Sequence, residues 1–144
     1  MINKPDRIVI DTNVLVSATR SRNGASFRLF SLLPSGKFEI AVSTPLVLEY
    51  EDAAKRSYPN KALSDADIDA ILDYVCQVAH KQKIYYLWRP ILSDPKDDLV
   101  LELAVAANAK SIVTFNAKDF RQAERFGVEV IRPQDYLKRI DNDA

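Results

Sequence analysis

The stretch Arg7-Ile8-Val9-Ile10-Asp11-Thr12-Asn13 decides how the rest of the chain is read. Ile8, Val9 and Ile10 are consecutive β-branched residues with no alternation, the pattern of a strand buried on both faces. Asp11 follows at once, a carboxylate with no apolar reason to stand there. Beyond it Val14, Leu15 and Ala18 fall at helical spacing. A buried strand that ends on an acid and turns straight into a helix reads as the opening of a strand–helix–strand unit, and such units build parallel sheets.

Outward from that stretch the alternation continues. Ser26–Leu33 is predicted helical and ends at Pro34-Ser35-Gly36. Phe38–Val42 is predicted as a strand, and Thr44 with Pro45 as the cap and first turn of a helix reaching Arg56. Ser64 is expected to cap a long helix whose stripe is Ile68, Ile71, Leu72, Val75, Cys76 and Ala79. Tyr85–Leu87 reads as a short strand and Ser93-Asp94-Pro95 as a turn. Asp97 is expected to cap a central helix, apolar nearly all round over Leu99–Ala107 except at Glu102. Then follow a strand at Ser111–Phe115, a helix at Lys118–Phe126 stopped by Gly127, a strand at Val128–Ile131 and a helix at Pro133–Ile140. The expected architecture is a three-layer α/β/α sandwich with a mostly parallel central sheet, one domain over residues 1–144.

Composition narrows the function. The chain has 144 residues, 47% of them apolar, with Lys+Arg and Asp+Glu at 20 each. Zero net charge excludes a globally basic nucleic-acid binder but not a local basic groove. One cysteine excludes an internal disulfide and cysteine-only zinc cages, and one histidine excludes His-rich metal sites. GxGxxG and Walker A motifs are absent, which argues against dinucleotide or P-loop nucleotide binding. The longest stretch without an ionisable side chain, Ile40–Leu48, is far short of a membrane span. Met1–Arg7 shows no apolar leader, so a cytoplasmic protein with no membrane association is expected.

In parallel sheets the site lies beyond the carboxyl ends of the strands. Acids gather there: Asp11 after the first strand, Glu49 near a helix start, Asp97 and Asp98 opening the central helix, and Asp119 beyond the strand at Ser111–Phe115. Two carboxylates about 4 Å apart repel by about 4 kcal/mol at an effective dielectric near 20. Such a cluster takes up protons or binds a divalent cation. All-oxygen donors suit Mg²⁺ or Mn²⁺ rather than zinc or copper, and an ion of that kind activates water against a phosphodiester.

Four segments together resemble the PIN domain family. Ile8–Leu15 is similar to its opening strand and first acid, and Leu46-Val47-Leu48-Glu49-Tyr50 to its second acidic segment. Asp94–Ala104 is similar to the third, and Ile112–Phe120 to the fourth. Their order holds over roughly Arg7–Lys138, and the subgroup approached is the bacterial VapC-like toxins of toxin–antitoxin pairs. The resemblance implies Mg²⁺- or Mn²⁺-dependent cleavage of RNA. It assigns Asp11, Glu49, Asp98 and Asp119 as catalytic, metal-binding acids, with Asp98 preferred to Asp97. Thr12, Asn13, Thr114 and Asn116 become supporting polar groups. It also implies a cognate antitoxin protein and allows a homodimer. The chain departs from some relatives in carrying Asn116 where they have an acid.

Other residues are read beside these. Arg20, Arg22 and Arg28 flank Gly24 and offer either a backbone-binding loop near the acids or a solvated surface. Lys118 and Arg121 flank Asp119 and offer the same choice. Tyr85, Tyr86 and Trp88 suit base stacking, core or an oligomer contact. His80 is expected to end the long helix, and Cys76 to sit in its apolar stripe. A haloacid-dehalogenase-type phosphatase would need an acid at the position of Asn13, which argues against it. The alternative kept open is a non-catalytic PIN-like module that binds a partner or RNA.

Overall fold

A computed structural model of the chain describes residues 4–56, 63–84 and 92–142. Strand β1 (Asp6–Ile10) buries Ile8, Val9 and Ile10 completely, as their unbroken β-branched run requires. Helix α1 (Thr12–Arg20) starts directly after Asp11. Helix α2 (Ala25–Ser31) and a short 3₁₀ turn (Leu33–Ser35) lead to β2 (Phe38–Val42). Gly36 has φ of 74° there, a left-handed turn that side-chain-bearing residues resist.

Helix α3 (Thr44–Arg56) is capped one residue earlier than expected. Ser43, not Thr44, accepts the Leu46 amide on its hydroxyl at 3.3 Å and the Val47 amide on its carbonyl at 3.0 Å. Helix α4 (Asp65–Val78) carries the predicted cap: Ser64 and Asp67 exchange side-chain-to-amide bonds at 3.1 and 3.2 Å.

The chain then departs from expectation. His80 does not end α4 but forms β3 (His80–Lys81) with Lys81, pairing in parallel with Ala41 and Val42. Ala79 breaks the helix with an extended backbone, and the carbonyl of Val42 takes the Gln82 amide at 2.9 Å. An open sheet edge thus outcompeted one more helical turn. The strand predicted at Tyr85–Leu87 lies outside the described residues.

Helix α5 (Pro95–Ala106) begins earlier than expected, with Asp94 as its cap instead of Asp97. Asp94 accepts the Lys96 amide at 2.9 Å, and Pro95 occupies the first turn, where its missing N–H costs nothing. Asp97 and Asp98 therefore lie inside the first turn. Val100, Leu101, Leu103 and Ala104 are buried, and so is Glu102. Strand β4 (Ser111–Val113) is followed by a 3₁₀ segment (Ala117–Phe126), then β5 (Glu129–Ile131) and α6 (Pro133–Asn142). The helix expected over Lys118–Phe126 is present as 3₁₀ turns from Ala117, and it is kinked at Phe120.

The sheet order is β3-β2-β1-β4-β5, with every pairing parallel. From β1 the chain steps to β2 and β3 on one side, then crosses to β4 on the other. Right-handed crossovers in opposite directions put their helices on opposite faces. Accordingly α1 packs on α2 and α3, α3 on α4, and α2 on α6, whereas α5 packs on β1, β2, β4 and the 3₁₀ segment. The result is the expected three-layer α/β/α sandwich, with its strand order reversing beside β1.

Candidate active site

Ligand sites in such sheets fall in the crevice at the reversal, outside the strand C-termini. Here that crevice lies between β1 and β4. Asp11 follows β1 and Thr114 follows β4, and the two are tied together. The Asp11 amide donates to the Val113 carbonyl at 2.9 Å, extending the ladder. The Thr114 hydroxyl donates to Oδ2 of Asp11 at 2.7 Å, and the Thr12 amide donates to Oδ1 at 2.8 Å. Only 7% of Asp11 is exposed.

The supporting set forms one network. The Thr114 hydroxyl accepts the Asn116 amide at 3.0 Å and the Asn13 side-chain amide at 3.4 Å. A hydroxyl has one proton and two lone pairs, so Thr114 is fully used. Asn13 also accepts the Phe115 amide at 3.5 Å. Thr12 and Asn116 thus contribute backbone N–H groups, and Asn13 and Thr114 side chains.

Two elements bring further acids to this end. Asp94 and Asp97 from the start of α5, and Asp119 from the 3₁₀ segment, line a cleft of about 440 Å³ with Lys118, Arg121 and Gln122. Burial pushes the Asp97 carboxyl up to about 6, and the charges of Asp11, Asp94, Asp119 and Asp98 push the same way. Burial also raises Asp11. The Thr114 and Thr12 hydrogen bonds oppose that rise, and the fields of Asp119 and Asp94 add to it. Asp11 and Asp97 therefore sense the acids around them, and both are easier to protonate for it.

The four acids assigned from the sequence fare differently. Asp11 is the buried centre, and Asp119 faces the cleft. Asp98 accepts the Leu92 amide at 3.0 Å. Glu49, 17% exposed on α3, lies 3.4 Å from Nζ of Lys96. Asp97 and Asp94, read from sequence as a cap and a turn residue, are the ones that share the cleft with Asp119. Successive helical residues project about 100° apart, so moving the helix start changes which acid faces inward. Sequence reading also passed over the role of Tyr50. Its side chain is fully buried and its hydroxyl donates to the carbonyl of Ile10, which pins α3 to the end of β1. Burial, and secondarily Asp11, hold that phenol in its neutral form.

The arginines before and after Gly24 do not border the acids. Helix α1 leads the chain away from the crevice for nine residues, about 13 Å. Arg22 and Arg28 line a different cleft with Gln134 and Lys138, and Arg28 pairs with Asp141 at 3.2 Å. His80 is half-buried on the far sheet edge, 3.0 Å from the Gln82 side chain. Cys76, on the stripe of α4, is half-buried. Tyr85, Tyr86 and Trp88 lie outside the described residues.

Among the described residues no three carboxylates, imidazoles or thiols converge on one point as a closed metal cage. The donor set still fits a hard divalent cation. Mg²⁺ commonly takes one or two carboxylates directly and keeps its remaining waters. Asp11, Asp97 and Asp119 offer such oxygens, and their mutual repulsion is what a cation would relieve.

Comparison with known proteins agrees with this fold. A profile of the PIN domain matches residues 7–118, from the start of β1 into the 3₁₀ segment. No curated protein matches the chain. Among solved structures, the crystal structure of VapBC2 from Rickettsia felis bound to a DNA fragment from their promoter is similar, with a TM-score of 0.57 and 18% identity. That match covers 86% of this chain and 98% of the other, and it shows a shared fold. With its sheet reversing at an acid-bearing crevice and the family profile running over most of its length, the chain belongs to the PIN domain family.

Proposed function

We propose that this protein is a Mg²⁺- or Mn²⁺-dependent endoribonuclease and the toxin of a toxin–antitoxin pair. One observation carries the nuclease reading: a buried Asp11, held at the strand-order reversal by Thr114 and Thr12, lies within the field of Asp94 and Asp119. Of the acids assigned from sequence, Asp11 and Asp119 would hold the ion, and Asp97 would join them in preference to Asp98. Glu49 would join once its contact with Lys96 gives way. A bound cation would neutralise a phosphate and lower the pKa of a water for in-line attack. The chain's own part is positional. Thr114 and the Thr12 amide fix both oxygens of Asp11, and Tyr50 fixes α3 and hence Glu49.

The antitoxin partner is supported by the VapC-like sequence pattern and by the fold shared with VapBC2. A homodimer and a cytoplasmic location belong to the same reading. No described helix is long and apolar enough to cross a membrane.

RNA cleavage by the purified chain with Mg²⁺, Mn²⁺ or EDTA, beside Asp11→Asn, tests the activity. Metal-dependent cleavage lost in the variant is expected; cleavage of equal rate in EDTA, or retained in Asp11→Asn, would sink the reading. A second reading, a non-catalytic module that binds RNA or a partner, is favoured by the Lys96–Glu49 pair and by Asn116. Failure of Mg²⁺ and Mn²⁺ to raise the melting temperature would favour it.

A further inference from the structure

Lys118 and Arg121 line the acid cleft beside Asp94, Asp97 and Asp119. Both are exposed on the 3₁₀ segment, one on each side of Phe120. Phe120 is buried and marks the kink, so it anchors the segment to the core between them. Among the described residues neither cation forms an ion pair, although acids border the same cleft. Several other cations of the chain are paired, among them Arg28 with Asp141, Lys55 with Asp69, Arg132 with Asp135 and Arg139 with Glu129. Lys96 at the acid site is paired as well, with Glu49.

A polyanion approaching this cleft meets repulsion from the acids. Net charge of zero supplies no overall attraction to offset it. Local cations at the rim are then what can hold a strand there. The free guanidinium of Arg121 can take a phosphate in bidentate fashion, and Lys118 can take a neighbouring one as a point charge.

We propose that Lys118 and Arg121 form a clamp holding two backbone phosphates of single-stranded RNA beside the acid cleft. This rests on the nuclease reading above. The clamp binds phosphate, so it is indifferent to base sequence. It is distinct from the Arg22–Lys138 cleft, which shares none of its lining residues.

The test is binding of a labelled single-stranded RNA in EDTA, by fluorescence anisotropy across a range of KCl. Each phosphate contact to a single strand contributes about 0.7 to the salt slope. Lys118→Ala/Arg121→Ala should therefore lower the slope by about 1.4. Between roughly 50 and 200 mM salt the wild type should lose about sevenfold more affinity than the variant. Arg22→Ala/Lys138→Ala removes the same charge remotely and should leave the slope within error. A single-stranded DNA of the same length should show the same loss, because phosphates are what is held.

An unchanged slope in the Lys118/Arg121 variant, while the wild type binds and cleaves RNA, overturns the clamp and leaves the nuclease reading standing. An equal fall in the remote variant overturns it too, since the effect is then one of overall charge. Wild type that neither binds nor cleaves RNA overturns the nuclease reading, and the clamp with it. Lys118→Gln/Arg121→Gln, with unchanged melting temperature, repeats the measurement if the alanine variant folds poorly.

Discussion

Replacing Asp97 by Asn should stabilise the metal-free protein. The carboxyl of Asp97 is pushed from 3.8 up to about 6 by burial and by Asp11, Asp94, Asp119 and Asp98. At about 1.36 kcal/mol per pH unit, that is an upper bound of about 3 kcal/mol against the ionised form. The side chain is half-buried and open to solvent screening, which reduces the figure to roughly 1–1.5 kcal/mol. An acid in the first turn of α5 is favoured by the helix dipole, which takes back roughly 0.3–1 kcal/mol. The penalty of burial and repulsion wins by a small margin, so Asp97→Asn should gain about 0.6 kcal/mol in EDTA at neutral pH, about 2–3 °C in melting temperature. The sign depends on pH. A folded value raised above the unfolded one means that the penalty is absent below about pH 4, grows as pH rises and is complete above the folded pKa of about 6. The gain should therefore vanish in thermal melts at pH 4. Saturating Mg²⁺ should reverse the order at neutral pH, because the wild type gains a ligand that the variant binds less well. A variant less stable than wild type in EDTA at pH 7.5, or a gain independent of pH between 4 and 7, would refute the reasoning.

Other substitutions test other links. Thr114→Val keeps the shape but takes the donor from Oδ2 of Asp11 and the acceptor from the Asn116 amide. A loss of roughly 1–3 kcal/mol is expected in urea unfolding, together with weaker metal binding. Tyr50→Phe removes one buried hydrogen bond to Ile10 and should cost about 1 kcal/mol, with RNA cleavage falling through misplacement of Glu49. The two guanidinium bonds from Arg139 and the Ser111 hydroxyl hold Glu129 below the usual carboxylate range. That stability is present above about pH 4.5 and lost as pH falls. Glu129→Gln should accordingly flatten the acid limb of a pH–stability curve, and an unchanged limb would contradict the assignment. Gly127 stops the 3₁₀ segment with φ of 76°, so Gly127→Ala should destabilise by about 1 kcal/mol even though a Cβ meets no atom there.

Most of the element order was legible because each element carries its own local signal. The β-branched run gives β1, the Ser64–Asp67 box gives the start of α4, and Gly127 gives the end of the 3₁₀ segment. The misses came where a local choice was close and a distant partner decided it. His80 could have continued a helix, but the edge of β2 offered it backbone hydrogen bonds. Asp94 and Asp97 are both good caps, and Pro95 tipped the choice toward the earlier one.

The sequence by itself determined the class of fold and that acids would gather at the strand ends. Burial of apolar runs and the handedness of crossovers depend on nothing more remote than the order of elements. It determined Asp11 as the pivot, because a carboxylate after a fully buried strand has one place to go. Only the tertiary structure decided which acid of α5 faces the cleft and that Lys96 reaches Glu49. It alone put Arg22 and Arg28 at another cleft while Lys118 and Arg121 stayed beside the acids. Each of these depends on the direction in which a side chain leaves its helix, and on what a segment far away in sequence has placed there. Those are properties of helix register and packing that no local pattern of residues encodes.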